Sequence, residues 1–190
     1  MKKKMFFITI ILLVGFATAL SVFLVTRNDI AETVAITVGI TLYHFAMRLA
    51  VGAIVNFIMK NKANYNNVWF CEKKFENKLY RLMRVRKWKK YLPTYSPDTF
   101  DTGKKTVEEI VGATCQAEIV HEIIMVLSLL PITLISVLGG AVALIATSVL
   151  AMLFDCLFVI LQRYNRLRLV KIINRFEKIK NSERDTHAVE

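Results

Sequence analysis

Residues 84–92 are Arg-Val-Arg-Lys-Trp-Lys-Lys-Tyr-Leu, which places five cations and two aromatic rings within nine residues. This basic aromatic stretch lies between two pairs of apolar segments, and each segment is long enough to cross a bilayer as a helix. Of the 190 residues of the chain, 55% are hydrophobic, yet the formal net charge is +11. A soluble domain this basic would rarely be so apolar, so the composition indicates a membrane protein.

The predicted fold is all-α: a polytopic membrane protein with four transmembrane helices in two hairpins, joined by a basic amphipathic cytoplasmic insert. The predicted spans are residues 5–25, 33–59, 119–138 and 141–162, and a bilayer requires about 20 apolar residues in each. The insert covers 60–105 and a polar C-terminal tail covers 170–190, in which disorder is expected from Asn181 onward. The whole chain, 1–190, is expected to form a single membrane domain.

The distribution of charge predicts the orientation of these helices. All but two of the 26 lysines and arginines lie in three regions: before the first span, in the insert and after the last span. Under the positive-inside rule these three regions are cytoplasmic, and an even number of crossings between them satisfies the rule. Both termini are therefore predicted to lie in the cytoplasm.

The first apolar run, Met5 to Val25, has two interpretations. It follows three lysines and contains Ala17-Thr18-Ala19, which resembles the cleavage site of a signal peptide. The run continues to Val25 without a polar segment, so a retained membrane helix is favoured over removal of residues 1–19.

Polar residues interrupt the second span at His44, Arg48 and Asn56. His44 and Arg48 are four residues apart and therefore share one face of a helix. A charge at membrane depth costs about 2.5 to 3.5 kcal/mol on insertion scales, so Arg48 must face a partner or water. It could pair with Asp155, the acid of the last span, or the three residues could line a polar pocket that opens toward the cytoplasm. The two interpretations are compatible.

A second polar group, Glu118, His121 and Glu122, precedes the third apolar run. Offsets of three and four residues from Glu118 place His121 and Glu122 on its helical face, so that a carboxylate lies beside the imidazole. A carboxylate near histidine fixes its tautomer and raises its basicity, which a general base that deprotonates an alcohol requires. The simpler explanation is a solvated or internally satisfied group, because this spacing alone is weakly specific.

Two cation-rich segments could bind anions. The basic aromatic stretch could hold the phosphates of coenzyme A or of a phosphopantetheine carrier, or it could anchor the chain to anionic lipid at about 1 kcal/mol per cation. Residues 162–168, Gln-Arg-Tyr-Asn-Arg-Leu-Arg, could form an anion clamp or simply mark topology after the last span. Nucleic-acid binding is disfavoured because these cations are tied to the membrane plane.

Neither a metal site nor a disulfide framework is predicted. Cys71, Cys115 and Cys156 are odd in number and far apart, with no Cys-x-x-Cys pattern. Buried or interfacial thiols are expected.

Three motifs together resemble one enzyme family. They are Arg-Lys-Trp-Lys at 86–89, Ala-Glu-x-x-His at 117–121 before an apolar run with Leu-Pro at 130–131, and Gln-Arg-Tyr-Asn-Arg-x-Arg-Leu at 162–169. In this order, over residues 79–172, the chain resembles the bacterial glycosyl-4,4'-diaponeurosporenoate acyltransferases. The resemblance implies esterification of the sugar of a glycosylated carotenoid with a fatty acyl chain, the last step to staphyloxanthin.

The predicted function is therefore transfer of a fatty acyl group from a cytosolic thioester to a hydroxyl of a membrane-borne glycolipid, with no bound cofactor. The thioester is acyl-CoA or acyl-carrier protein.

His121 is the predicted catalytic base, oriented by Glu118. The predicted donor site comprises Arg84, Arg86, Lys87, Trp88 and Lys89. The predicted acceptor or oxyanion site comprises Gln162, Arg163, Tyr164, Asn165, Arg166 and Arg168. Secondary candidates are His44, Arg48, Asn56, Glu122 and Asp155. The alternative is a non-catalytic membrane protein of accessory or immunity type that binds anionic lipid.

Overall fold

Long apolar helices dominate the computed structural model, which describes residues 2–92, 100–101 and 103–187. The helices are α1 (Lys2–Thr26), α2 (Asp29–Met59), α3 (Glu76–Leu82), α4 (Val85–Trp88), α5 (Val107–Leu127), α6 (Ile135–Leu138) and α7 (Ala141–His187). Short 3-10 turns cover Val68–Phe70, Lys89–Tyr91 and Leu130–Leu134. Within the described residues, four helical segments are long and apolar enough to cross a membrane: Lys3–Thr26, Asp29–Met59, Val107–Leu138 and Ala141–Ser182. The all-α fold with four candidate spans is confirmed, and the chain is a multi-pass membrane protein.

Helix boundaries differ from the predicted spans where local sequence favours a longer helix. The side chain of Asn28 accepts a hydrogen bond from the Ile30 N–H at 2.7 Å, so α2 begins at Asp29 rather than at residue 33. The last helix does not end in a disordered tail at Asn181, because α7 continues to His187. No glycine or proline follows Gly140, and the many Leu, Lys, Arg and Glu residues of this segment favour helix.

The turns between the apolar helices contain proline and glycine. A 3-10 turn with Pro131 near its start follows α5, because proline cannot continue the helical hydrogen bonding. Gly139 and Gly140 have φ values of 66° and 59° and connect α6 to α7. The loop predicted around Pro93 and Pro97 lies outside the described residues.

The chain divides into two compact units. The first unit comprises Met1–Ile58 and Ile119–Phe158. Its helices contact one another closely: a Cβ at Gly39 of α2 would lie 2.8 Å from the Phe16 ring of α1, and Tyr43 donates a hydrogen bond to the Leu127 carbonyl at 2.8 Å. α1 exposes most of its apolar side chains, as expected of a helix that faces lipid.

The second unit comprises Met59–Glu118 and Val159–Glu190. Its apolar core is formed by Tyr80, Val85 and Leu167, with Met83, Trp88, Ile160 and Tyr164 packed against them. Arg84 adopts a left-handed conformation with φ 50° between α3 and α4, which turns the basic aromatic stretch back onto this core.

Candidate functional site

In the first unit, three charged or titratable side chains from three helices form a connected group, here called the His-Asp-Arg cluster: His121, Asp155 and Arg48. The His121 Nδ1 lies 2.9 Å from Oδ1 of Asp155. The other oxygen of Asp155 accepts a hydrogen bond from Nη2 of Arg48. Asp155 is buried, so its carboxylate is desolvated and held by both partners. The Arg48–Asp155 pair, one of the two predicted roles of Arg48, is present.

The imidazole of His121 is fixed on one side and accessible on the other. Its ring stacks on Phe158 with 4.6 Å between centroids and 11° between planes. Its side chain is 22% exposed. With Nδ1 held by a carboxylate, Nε2 is the nitrogen available to take a proton from a bound hydroxyl.

His44 lies on α2 one turn before Arg48 and is 5% exposed. Its carbonyl oxygen accepts a hydrogen bond from Nη1 of Arg48 at 3.2 Å. Neither ring nitrogen has a hydrogen-bond partner among the described residues. Of the remaining secondary candidates, Asn56 is exposed on α2 and Glu122 is half-buried on α5.

In the second unit, buried carboxylates and guanidinium groups form a different group, here called the arginine-glutamate network: Glu76, Glu118, Arg163 and Arg166. Glu118 and Arg166 are both 0% exposed and form a direct ion pair. Arg163 connects the two carboxylates, with Nη1 3.3 Å from Glu118 and Nη2 3.0 Å from Glu76. Two acids and two bases balance each other, which makes their burial tolerable.

This pairing differs from two sequence predictions. The carboxylate that contacts His121 is Asp155, whereas Glu118 binds the arginines after the last span. Arg163 and Arg166, predicted to bind the acceptor or an oxyanion, are engaged by carboxylates of the chain itself. An isolated buried guanidinium is costly, so the nearest acids of the same unit become its partners.

Aromatic side chains complete the arginine-glutamate network. Tyr80 donates a hydrogen bond to Glu76 at 2.9 Å, and the Arg166 guanidinium carbon lies 5.0 Å from the centroid of the Phe70 ring. Burial, followed by the neighbouring Glu76 carboxylate, raises the pKa of the Tyr80 hydroxyl well above its usual value. The hydroxyl therefore remains a donor at neutral pH. Sequence reasoning missed Glu76 and Phe70 because their arginine partners are distant in the chain, and it missed Tyr80 although its partner Glu76 is only four residues away.

Three of the other predicted acceptor residues, Tyr164, Asn165 and Arg168, lie around Lys89. Its ammonium donates a hydrogen bond to Oδ1 of Asn165 at 3.3 Å and lies 5.2 Å from the centroid of the Tyr164 ring. Arg168 lies over the same ring at 5.7 Å, and Gln162 is half-buried. Burial, with the nearby charges of Arg168 and Arg86, lowers the pKa of Lys89. Lys89 therefore contributes to packing against α7.

An open cavity of about 420 Å³ lies on the basic aromatic stretch. We call it the basic pocket, and it is lined by Arg86, Lys87, Trp88, Lys90 and Tyr91. The Trp88 indole N–H donates to the Met83 carbonyl at 2.8 Å, which fixes the ring. Lys90 was not singled out from the sequence, although its spacing of four from Arg86 and three from Lys87 places all three on one helical face. Lys89 and Arg84, predicted for the donor site, are not among the lining residues.

Among residues that the structure describes, no three or more His, Cys, Asp or Glu side chains are arranged to hold a metal ion. Cys71 is exposed, Cys115 is buried and Cys156 is half-buried, each as a free cysteine.

Residues 66–175, more than half of the chain, match the family model described as glycosyl-4,4'-diaponeurosporenoate acyltransferase. No curated protein and no solved structure matches the chain. The matched region includes His121, Asp155, the arginine-glutamate network and the basic pocket. His44 and Arg48 precede it.

Proposed function

Because the chain belongs to the glycosyl-4,4'-diaponeurosporenoate acyltransferase family and is an acyltransferase, we propose that it esterifies a hydroxyl of a membrane-borne glycolipid, such as the sugar of a glycosylated carotenoid. The proposed donor is a cytosolic thioester, either acyl-CoA or acyl-carrier protein. The proposed location is the bacterial cell membrane, with both termini in the cytoplasm, since the cations cluster at the N-terminus, in the insert and after the last span.

His121 is the proposed general base, and the 2.9 Å contact between its Nδ1 and Asp155 is the observation that carries this assignment. Nε2 removes the proton of the acceptor hydroxyl as its oxygen bonds to the thioester carbonyl carbon, whose oxygen becomes negative. The tetrahedral intermediate then collapses, the carbon–sulfur bond breaks, and the proton on Nε2 passes to the leaving thiolate. Asp155 stabilises the imidazolium between these two events, and Arg48 holds Asp155 in place.

The basic pocket is the proposed binding site for the phosphates of the donor. Arg86, Lys87 and Lys90 supply three cations around one cavity, and Arg86 can bind two phosphate oxygens through its planar guanidinium. The exposed ring of Tyr91 adds an apolar surface beside these charges. We assign Lys89 to packing instead, since its ammonium is directed at Asn165 and Tyr164.

The arginine-glutamate network has a proposed structural role. Arg166 is fully buried against Glu118, and Arg163 spans two carboxylates. Binding of a sugar or an oxyanion by these arginines would require their carboxylate partners to be released into a buried environment, at a cost of several kcal/mol. We therefore propose that the network holds the second unit together.

Lipid analysis tests the proposed substrates. Cells that make a glycosylated carotenoid are compared with and without expression of this protein, and their lipid extracts are examined by mass spectrometry. We expect expression to produce a glycolipid heavier by one fatty acyl chain, with loss of the unacylated form. If the protein is present in the membrane and no glycolipid gains an acyl chain, the proposed substrate class is wrong.

A further inference from the structure

His44 is a buried histidine whose ring has no hydrogen bond to the described residues. Its ring is nearly inaccessible, and both Nδ1 and Nε2 lack partners among the described residues. A neutral imidazole carries one N–H donor and one acceptor, and leaving such groups unpaired in a buried site costs about 1–3 kcal/mol each. A bound group that pairs with the ring would remove this cost.

Among the described residues of the first unit, two other buried side chains lack hydrogen-bond partners, but they are placed differently. The hydroxyls of Ser128 and Ser148 are unpaired. Ser148 precedes Asp155 by seven residues, which is about two turns of α7. His44 instead lies one turn from Arg48 and is bonded to it through its carbonyl. Of these three residues, His44 is therefore the one that is hydrogen-bonded to the His-Asp-Arg cluster.

Hydrogen bonds within the protein already engage part of the donor set of that cluster. The two terminal nitrogens of Arg48 bond to the His44 carbonyl and to Asp155, and Nδ1 of His121 bonds to Asp155. Acyl transfer through a tetrahedral intermediate needs a donor aimed at the carbonyl oxygen, where negative charge develops. The ring N–H of His44 is a donor without a partner among the described residues, and it lies one helical turn from Arg48.

We propose that His44 is a second catalytic histidine, whose ring N–H donates a hydrogen bond to the thioester carbonyl oxygen during acyl transfer. This inference rests on the proposed function. When the hydroxyl oxygen attacks the carbonyl carbon, the π bond electrons move to the carbonyl oxygen, and His44 stabilises that charge without transferring a proton. His121 alone accepts and returns the proton, so the two histidines have separate roles.

Substitutions of His44 distinguish two possible roles of its ring, hydrogen-bond donor and general base. Full-length protein is reconstituted in vesicles with glycosyl-4,4'-diaponeurosporenoate, and transfer from a long-chain acyl-CoA is measured. We expect His44→Ala to lower kcat about a hundredfold with little change in KM, as loss of one oxyanion donor does. His44→Gln retains an N–H but cannot act as a base, and we expect it to recover at least tenfold over His44→Ala. Ser148→Ala, which removes another unpaired buried group, is the matched control with unchanged kcat.

The outcomes distinguish this inference from the proposed function. If His121→Ala is inactive while His44→Ala keeps the wild-type kcat, or while His44→Gln is no better than His44→Ala, the oxyanion role of His44 is overturned and the base survives. If His121→Ala keeps the wild-type rate, the proposed base itself is wrong. Melting temperatures of the variants, expected within a few degrees of wild type for His44→Gln, exclude loss of folded protein as the cause.

Discussion

Asp155 serves two partners at once, since one oxygen contacts His121 and the other contacts Arg48. We expect Asp155→Asn to lower the acyl-transfer rate on the order of 100-fold or more, because the imidazolium loses its counter-charge. The same change leaves Arg48 unbalanced and should cost about 3–5 kcal/mol of stability. The measurements are turnover and thermal unfolding of the reconstituted protein.

The double variant Arg48→Met/Asp155→Asn is the control for this prediction. Removing both charges should restore most of the stability while activity stays low, because a buried ion pair can be replaced by apolar groups at little cost. Recovery of activity along with stability would mean that Asp155 acts only through folding.

Glu118 is predicted to matter for folding through its two arginines. Glu118→Gln leaves the fully buried Arg166 without its carboxylate, so we expect a loss of about 3–5 kcal/mol and a lower yield of folded protein. Glu72→Gln is the matched control, because its pair with Lys171 is solvent-accessible and is worth less than about 1 kcal/mol. If Glu118→Gln and Glu72→Gln unfold at the same melting temperature, the structural role of the arginine-glutamate network is contradicted.

The partner of His121 could not be chosen from α5 alone. Helical spacing correctly places Glu118 near His121 along the sequence, but the choice of carboxylate depends on which acid another helix supplies. Asp155 is 34 residues away and was recognised only as an acid at membrane depth. Its pairing with Arg48 was foreseen because an intramembrane cation requires a partner. The additional link to His121 emerges only from the packing of α2, α5 and α7.

At the scale of elements, the 85–91 segment directs Arg86, Lys87 and Lys90 to the basic pocket and Lys89 to α7. Substituting Arg86, Lys87 and Lys90 with Gln should raise KM for an acyl-CoA donor at least tenfold with little change in kcat, because phosphate binding is lost without altering the base. The increase in KM should be smaller at high salt, since exposed charges are screened. Steady-state kinetics at two ionic strengths measures both quantities.

A triple variant of α7 provides the charge-matched control for the pocket. Arg175, Lys178 and Lys180 are exposed, and replacing them with Gln removes the same number of cations. We expect the KM for the donor, measured by the same steady-state kinetics, to remain within about twofold of wild type. Equal increases in both triple variants would indicate attraction to anionic lipid by net charge instead of a built phosphate site.

The helical elements themselves were largely predictable because each long span has a continuous apolar sequence with identifiable ends. Gly139-Gly140 and Pro131 marked the breaks correctly. The end of α7 was not predictable in the same way, since polarity beyond Asn181 indicated disorder while the same Lys, Arg and Glu residues favour helix. Composition alone does not distinguish an exposed helix from a disordered tail.

At the scale of the whole molecule, the charge distribution predicts a definite topology. In a Cys71→Ser background, Asn28→Cys in the turn between α1 and α2 should react with a membrane-impermeant maleimide in intact spheroplasts. Cys71 of the unmodified chain is exposed in the predicted cytoplasmic insert and should react only after permeabilisation. The buried Cys115 should remain unlabelled in both cases. If Cys71 reacts in intact spheroplasts and Asn28→Cys reacts only after permeabilisation, the basic regions lie outside the cell.

The account as a whole depends on proton transfer by His121. The most direct measurement is the acyl-transfer rate of reconstituted His121→Ala beside wild type, with the same amount of folded protein in each vesicle preparation. We expect the rate to fall by a factor on the order of 100 to 10,000, the usual contribution of a general base. A His121→Ala protein that transfers acyl groups at the wild-type rate would contradict this assignment.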